Sequence, residues 1–431
     1  MDFRFVIRDD INVRARSLID LEYKDYTKED IARAVAFYLD LILDSKHQTF
    51  AVGFGNVSLL SVAFLLALHK SGKEYTLVYH DGTFNFADHT DLYPHLFFTG
   101  VVSLEGQSKL DAILKTDPNR ITLTDTKLIE DLAFSYHKSD DLVFDYSKNK
   151  KVNIIEINNV GLLYTTEKIE GSSIDAAVKN YFHEDDYVVI MRPFQHLGVG
   201  TLSIYPAFFK AKNISLCPFI GDWKEEYHKA THVHIDPHMM SIGCDLPKKL
   251  RMLTSGGYNF NSDCVNYVTS RSEIENIVDC FGTARCPPPL AIRQLMKDTN
   301  FEWINEFVKP SIIEDTQQLV FTSVEDNVFN QLEYSVDGKI VTNDLIKFVD
   351  GQSKFSITGR LVDKIRMSHI LYPVLEFKNL FKEYSGLKDI SVEFEIVDGL
   401  KNPVILVNDY DYDKASETIS TYNVEAKLKI K

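Results

Sequence analysis

The 431-residue sequence predicts an α/β protein, with a large N-terminal domain of layered α/β sheets and a β-rich subdomain (residues 1–359), followed by a small α+β C-terminal lobe (residues 360–431). Three observations predict it. Short apolar runs alternate with helix-length segments up to about residue 290, the pattern of a sheet covered by helices. After Leu319 the texture changes to consecutive strand-like runs broken by Asp337-Gly338 and Asp350-Gly351, which are hairpin turn signals. The chain is longer than one ordinary domain, and its residues are 45% apolar and 25% charged, a profile that supports more than one core and argues against disorder.

The elements follow in order. Thr27 and Asp30 cap an apolar pattern at Ile31, Val35, Leu39 and Ile42, which predicts an amphipathic helix. A strand is expected at 50–54, a turn at Gly53 and Gly55, a helix at 59–68 ending near Ser71-Gly72, and a strand at 75–79. Further strands are expected at 153–157, 187–191, 214–218, 250–253 and 277–280, with helices between most of them. Strands at 319–322, 331–335, 339–341 and 354–358 form the β-rich part. The last lobe is expected to hold a helix at 372–384 and strands at 390–397 and 404–407. The Gly53-Phe54-Gly55 turn is no dinucleotide fingerprint, because Ser58 stands where the third glycine is required.

Composition excludes several classes of function. A formal net charge of -15 disfavours a nucleic-acid or anionic-membrane partner, since phosphate backbones need a basic face. The five cysteines, Cys217, Cys244, Cys264, Cys280 and Cys286, contain no CxxC pair, so neither a zinc knuckle nor a disulfide framework is suggested and a reducing compartment is expected. The opening residues lack the apolar stretch of a signal peptide, and the longest apolar run, 57–68, is interrupted by Ser58 and Ser61; a cytoplasmic location is therefore expected.

The chemistry is read from a series of turns that follow apolar strands. Thr342-Asn343-Asp344-Leu345 and Gly359-Arg360-Leu361-Val362-Asp363 are separated by one predicted hairpin. A buried Asp accepts hydrogen bonds from both hydroxyls of a ribose, and an Arg one hairpin away donates to the same sugar or its phosphate. Upstream, Phe281-Gly282-Thr283-Ala284-Arg285, Thr254-Ser255-Gly256-Gly257 and Arg192-Pro193-Phe194-Gln195-His196 each follow a strand, at the carboxyl ends where α/β sheets bind ligands. Adjacent glycines let a flat ring approach the backbone closely.

These stations, in this order, resemble the adenylate-forming superfamily of acyl-CoA synthetases, nonribosomal peptide adenylation domains and luciferases, over most of the chain. The resemblance implies ATP-dependent activation of a carboxylic acid to an acyl-adenylate, with transfer to CoA, a carrier-protein thiol or an amine. It implies that Asp344 and Arg360 anchor the ribose and that Gly256, Gly257, Phe281, Gly282 and Thr283 frame the adenine. His196 would line the acyl pocket, and Lys427, near the C-terminus, would neutralise charge on the α-phosphate.

The sequence departs from that pattern at the triphosphate. The candidate phosphate loop, Tyr164-Thr165-Thr166-Glu167-Lys168-Ile169-Glu170-Gly171, retains the hydroxyls of Thr165 and Thr166 but inserts two carboxylates. The family's magnesium carboxylate is replaced by Arg285, which cannot ligate a metal directly. Magnesium is expected with ATP, its ligands unassigned. Two other readings stay open. One is a nucleotide-binding protein that has lost the chemistry; the other is a metal-dependent hydrolase built on His228, His232, His234, Asp236 and His238, whose spacing is similar to a HxHxDH signature.

Overall fold

The computed structural model describes residues 1–17, 22–44, 49–54, 58–78, 96–99, 126–148, 151–155, 162–190, 200–217, 220–235, 245–257, 260, 262–283, 286–315, 317–325, 328–329, 335–351, 353–360, 364–367, 370–397 and 400–431. Strands β1 (Arg4–Val6), β2 (Asn12–Arg16) and β3 (Tyr23–Thr27) lead into helix α1 (Lys28–Asp44). Its predicted cap is present: the Thr27 amide donates to Asp30 Oδ2 at 2.8 Å and the Asp30 amide to Thr27 Oγ1 at 3.4 Å. Such a cap contributes about 1 kcal/mol.

A first sheet follows, built from β4 (Thr49–Phe54), α2 (Leu59–Ser71), β5 (Glu74–Val78), β6 (Leu96–Thr99), α3 (Thr126–Phe134), β7 (Val143–Asp145), β8 (Lys151–Ile155) and β9 (Leu162–Thr166). Its order is β6-β4-β5-β8-β9, parallel except for β9; β7 pairs with β1 instead. Helix α2 is apolar all round and is buried from Leu59 to His69, as a helix sandwiched between layers must be. Ser58 and Ser61 form a capping box at its start, and Gly72, with φ 71°, ends it.

The second sheet carries the site. Helix α4 (Glu167–Asn180) precedes β10 (Tyr187–Ile190); a π-helical turn, Gly200–Ile204, runs into α5 (Tyr205–Lys210); then come β11 (Asn213–Leu216), α6 (Ile220–Glu226), β12 (His232–His234), β13 (Lys249–Gly256), α7 (Ser262–Thr269) and β14 (Glu273–Thr283). Antiparallel strands β15 (Cys286–Gln294), β16 (Phe301–Trp303), β17 (Val308–Ile313), β18 (Gln318–Ser323), β19 (Lys339–Asp350) and β20 (Lys354–Arg360) complete it. Its order is β17-β18-β19-β20-β16-β15-β14-β13-β12-β10-β11-β2-β3. Strands β10 to β14 are parallel and buried on both faces, which is why they read as apolar runs. Val188, Ile190, Met252 and Val278 join one core on one face. Val189, Val233, Leu253 and Ile277 join a second core, with Trp223, on the other.

The lobe comprises β21 (Lys364–Met367), β22 (Ile370–Pro373), α8 (Val374–Ser385), β23 (Ser391–Val397), β24 (Leu400–Val407), α9 (Tyr412–Thr421) and β25 (Lys427–Ile430). Ile365, Phe377, Phe381 and Ile405 form a third core there. Several elements were not anticipated: β1 to β3, β15 to β17 and α9. Among the described residues no helix is long and apolar enough to cross a membrane.

Candidate functional site

Asp344 lies in the interior of β19, not in a turn. The expected acidic turn is thus a continuous strand with a bulge beside Leu345, and Asp344 stands in register with Arg360 at the end of β20. A bulge re-aims side chains without breaking the sheet. Asp344 is buried. Its amide donates to Thr342 Oγ1 at 3.1 Å, and that hydroxyl donates to the Leu319 carbonyl at 2.9 Å, so Thr342 locks the strand on which the carboxylate is carried. The connecting hairpin turns at Gly351, φ 51°.

At the carboxyl end of β13 the two glycines are needed for different reasons. A Cβ on Gly256 would lie 2.8 Å from Leu202 Cδ1 of the π-helical turn and 3.1 Å from the Cys280 carbonyl oxygen. Gly257 has φ +81° and open space where a Cβ would be. The first permits close packing and the second a left-handed backbone.

Phe281, expected beside the adenine, is buried, its ring 5.6 Å from Phe301 and 5.5 Å from Phe355. That aromatic cluster, not a ligand, occupies it. A Cβ on Gly282 would meet Pro288 Cα at 2.5 Å, so this glycine lets β14 and β15 approach. Thr283 Oγ1 accepts from the Cys286 amide at 3.1 Å. Arg285 and His196 lie outside the described residues.

The candidate phosphate loop is not a loop. Thr165 and Thr166 are the buried end of β9, and Thr166 Oγ1 caps α4 by accepting from the Ile169 amide at 3.3 Å. Thr166 pairs with Lys151, the first residue of β8, so both threonines sit at the amino end of the parallel strands, opposite the end where ligands bind. Glu170 is fully buried, and burial together with the neighbouring Glu167 pushes its carboxyl well above the ordinary range.

Lys427 begins β25, half-exposed, with Nζ 2.5 Å from Glu395 Oε1; Lys429 holds Glu395 Oε2 at 2.8 Å. The structure therefore keeps Lys427 on its own lobe.

The histidines do not converge. His228 is exposed on a short 3-10 helix, while His232 and His234 are buried in β12. His232 Nε2 lies 3.1 Å and His234 Nδ1 3.0 Å from the single hydroxyl of Thr254. Asp236 and His238 lie outside the described residues, and among those described no three His, Cys, Asp or Glu side chains gather as a metal site. Behind His232, Asp186 Oδ1 accepts from Arg251 Nε at 2.7 Å and from Thr231 Oγ1 at 3.0 Å, and Oδ2 accepts from the His183 amide at 2.8 Å. Burial raises the Asp186 carboxyl, but His232 and Arg251 outweigh it and hold it well below the usual range. Burial depresses His232, partly offset by Asp186. Sequence reasoning missed Asp186 and read Thr254 as part of the glycine station rather than as the partner of the histidines; the available signal was the i, i+2 histidine spacing, which puts both rings on one face of a strand.

No protein-family description matches the sequence, and no curated protein matches it. Solved structures do. The chain is similar to the amide bond synthetase McbA from Marinactinospora thermotolerans (15% identity, 98% of this chain and 94% of that one, TM-score 0.66). It is also similar to a malonyl-CoA ligase solved with methylmalonyl-CoA and AMP bound (11%, 98% and 96%, TM-score 0.65), and to a Mycobacterium tuberculosis fatty acyl CoA synthetase (12%, 95% and 89%, TM-score 0.62). The fold is that of the adenylate-forming enzymes, and these structural neighbours are by name two synthetases and a ligase.

Proposed function

We propose that this protein activates a carboxylic acid with ATP, giving an acyl-adenylate and pyrophosphate, and then passes the acyl group to a thiol or an amine. The observation that carries this reading is Asp344, a buried carboxylate in register with Arg360 in a chain that takes the adenylate-forming fold over nearly its whole length. Asp344 would accept from the ribose hydroxyls and Arg360 would donate to the sugar or phosphate. The backbone at Gly257, which has open space beside it, would admit the adenine, and His196 would line the acid pocket. The acid's carboxylate oxygen would form a bond to the α-phosphorus as the bond to pyrophosphate breaks, with Lys427 offsetting the charge that develops there. Lys427 would first have to leave Glu395. Magnesium would arrive with the ATP phosphates; Arg285, a cation, does not fit the role of its protein ligand. We place the domain boundary at 359/360, before the last residue of β20.

The test is carboxylate-dependent exchange of labelled pyrophosphate into ATP across a panel of acids. Exchange with at least one acid, lowered about 10- to 100-fold at sub-saturating ATP by Asp344→Ala, is the expected result. ATP binding without exchange for any acid would instead support a second reading, nucleotide binding without chemistry, which the Lys427–Glu395 pair favours.

A further inference from the structure

Helix α4 opens with a carboxyl group that the ligase reading does not use. Glu170 is fully buried, and neither of its oxygens has a hydrogen-bond partner among the described residues. It sits where the first sheet meets the second. Tyr75 of β5, Tyr146 after β7 and Tyr205 of α5 face it, all buried, and each phenol is close enough to be raised by a charge on Glu170. Tyr75 belongs to the first sheet and Tyr205 to a helix of the second, and the two share a hydrogen bond. The junction is tight: a Cβ on Gly171 would lie 2.5 Å from Tyr146 Cβ and 2.9 Å from Phe3 Cβ.

No element packed there offers a cation to an ionised Glu170. On its own helix the neighbour is Glu167, a like charge, and Lys168 is turned to Glu325. Helix α2 brings His69, whose ring stacks on Tyr146 at 3.8 Å and whose Nδ1 lies 3.7 Å from Glu167 Oε1. The next residue of α2, Lys70, is held by Asp140 and Asp141. Besides Tyr205, α5 has Lys210, which pairs with Glu184. The π-helical turn has no titratable residue. β15 has Cys286, itself buried, and Arg293, held by Asp279. Among the described side chains of β9 there are only the hydroxyls of Thr165 and Thr166. A carboxylate in this place loses its hydration with no donor or cation to replace it, so the neutral acid is the form that packs.

We propose that Glu170 is a proton-held clasp between the two sheets: with its proton it packs at the junction as a neutral group, and release of that proton to water loosens α2 and β5 from α4 and α5. The clasp does not depend on the ligase reading. Unfolded, a glutamate releases its proton near about pH 4.3; folded, Glu170 keeps it well above that value. Above the unfolded value the unfolded state therefore binds fewer protons, so the stability given by the clasp falls as pH rises and stops falling beyond the folded value.

Urea unfolding of the full chain between about pH 5 and about pH 9 tests this with the wild type, Glu170→Gln and Glu170→Leu. Both variants remove the proton at nearly constant volume, and comparison with the wild type at each pH cancels the titration of other groups. The wild-type unfolding constant, relative to either variant, should rise about tenfold per pH unit until the folded value is passed. A ratio that is constant with pH overturns the proposal. Carbon-13 spectra of wild-type protein labelled at its glutamate carboxyls need no variant. One carboxyl should remain protonated at about pH 7, and a spectrum with every glutamate ionised overturns the proposal as well. Hydrogen exchange, corrected for its intrinsic pH dependence, should quicken with pH in α2, α4 and α5 more than in the lobe, which has its own core. Equal quickening in both would make Glu170 a buried acid with no hold on the junction, and the clasp would fall.

Discussion

Asp344 and Arg360 stand directly opposite one another on adjacent antiparallel strands, sixteen positions apart in sequence and in one register of β19 and β20. A pair built this way is held by the strand ladder rather than by loop packing, so its geometry survives changes elsewhere in the site. Asp344→Ala should weaken ATP binding about 10- to 100-fold, the worth of hydrogen bonds to a charged acceptor. Titration calorimetry measures it directly; unchanged affinity would remove the ribose clamp from the mechanism.

Lys427 gives a prediction of the opposite kind, large in rate and small in binding. Lys427→Ala should lower exchange about 100- to 1000-fold and leave ATP affinity within about twofold. Glu395→Gln, which loosens a solvent-exposed pair, should raise the rate by at most about fivefold. Full exchange activity in Lys427→Ala would show that another group handles the charge.

Asp186 links its ion pair with Arg251 to stability. Its carboxyl lies below its unfolded value in the folded protein, so the stability it contributes is present above the unfolded value, about pH 3.9, and is lost as pH falls toward the folded one. Asp186→Asn should destabilise by about 3 kcal/mol at pH 7, since it leaves Arg251 and His232 without their carboxylate. The gap between variant and wild type should narrow below about pH 4. Urea midpoints at several pH values read this, and a gap constant to about pH 3 would be inconsistent with it.

The two tight glycines should differ in severity. Gly282→Ala drives a Cβ into the Pro288 backbone at 2.5 Å, whereas Gly256→Ala meets chiefly the movable end of Leu202 at 2.8 Å. Overpacking of the second kind costs about 1–3 kcal/mol, and Gly282→Ala should cost more. Equal denaturation midpoints would argue against the close approach of β14 and β15.

Much of the fold was legible because parallel strands buried on both faces must be apolar: 187–190 and 277–280 announce themselves. Capping chemistry was equally plain at Thr27 and Asp30. Other parts were hidden by competing signals. β15 contains Pro287, Pro288 and Pro289, residues without a ladder donor that argue against a strand, and the register shift opposite them is what accommodates them. Thr165 and Thr166 read as phosphate ligands, yet threonine is also a strand former and a helix cap, and here it is both. Phe281 followed a strand as a ligand-facing aromatic would, but nothing local reveals that Phe301 and Phe355, distant in sequence, close over it.

β20 ends at Arg360 and β21 begins at Lys364. Four peptide steps reach at most about 14 Å when fully extended, so the first strand of the lobe is leashed to the residue facing Asp344. Whatever rearranges the lobe, that corner stays within this short reach of β20, and the rest can only pivot around it, like a door hung on its post.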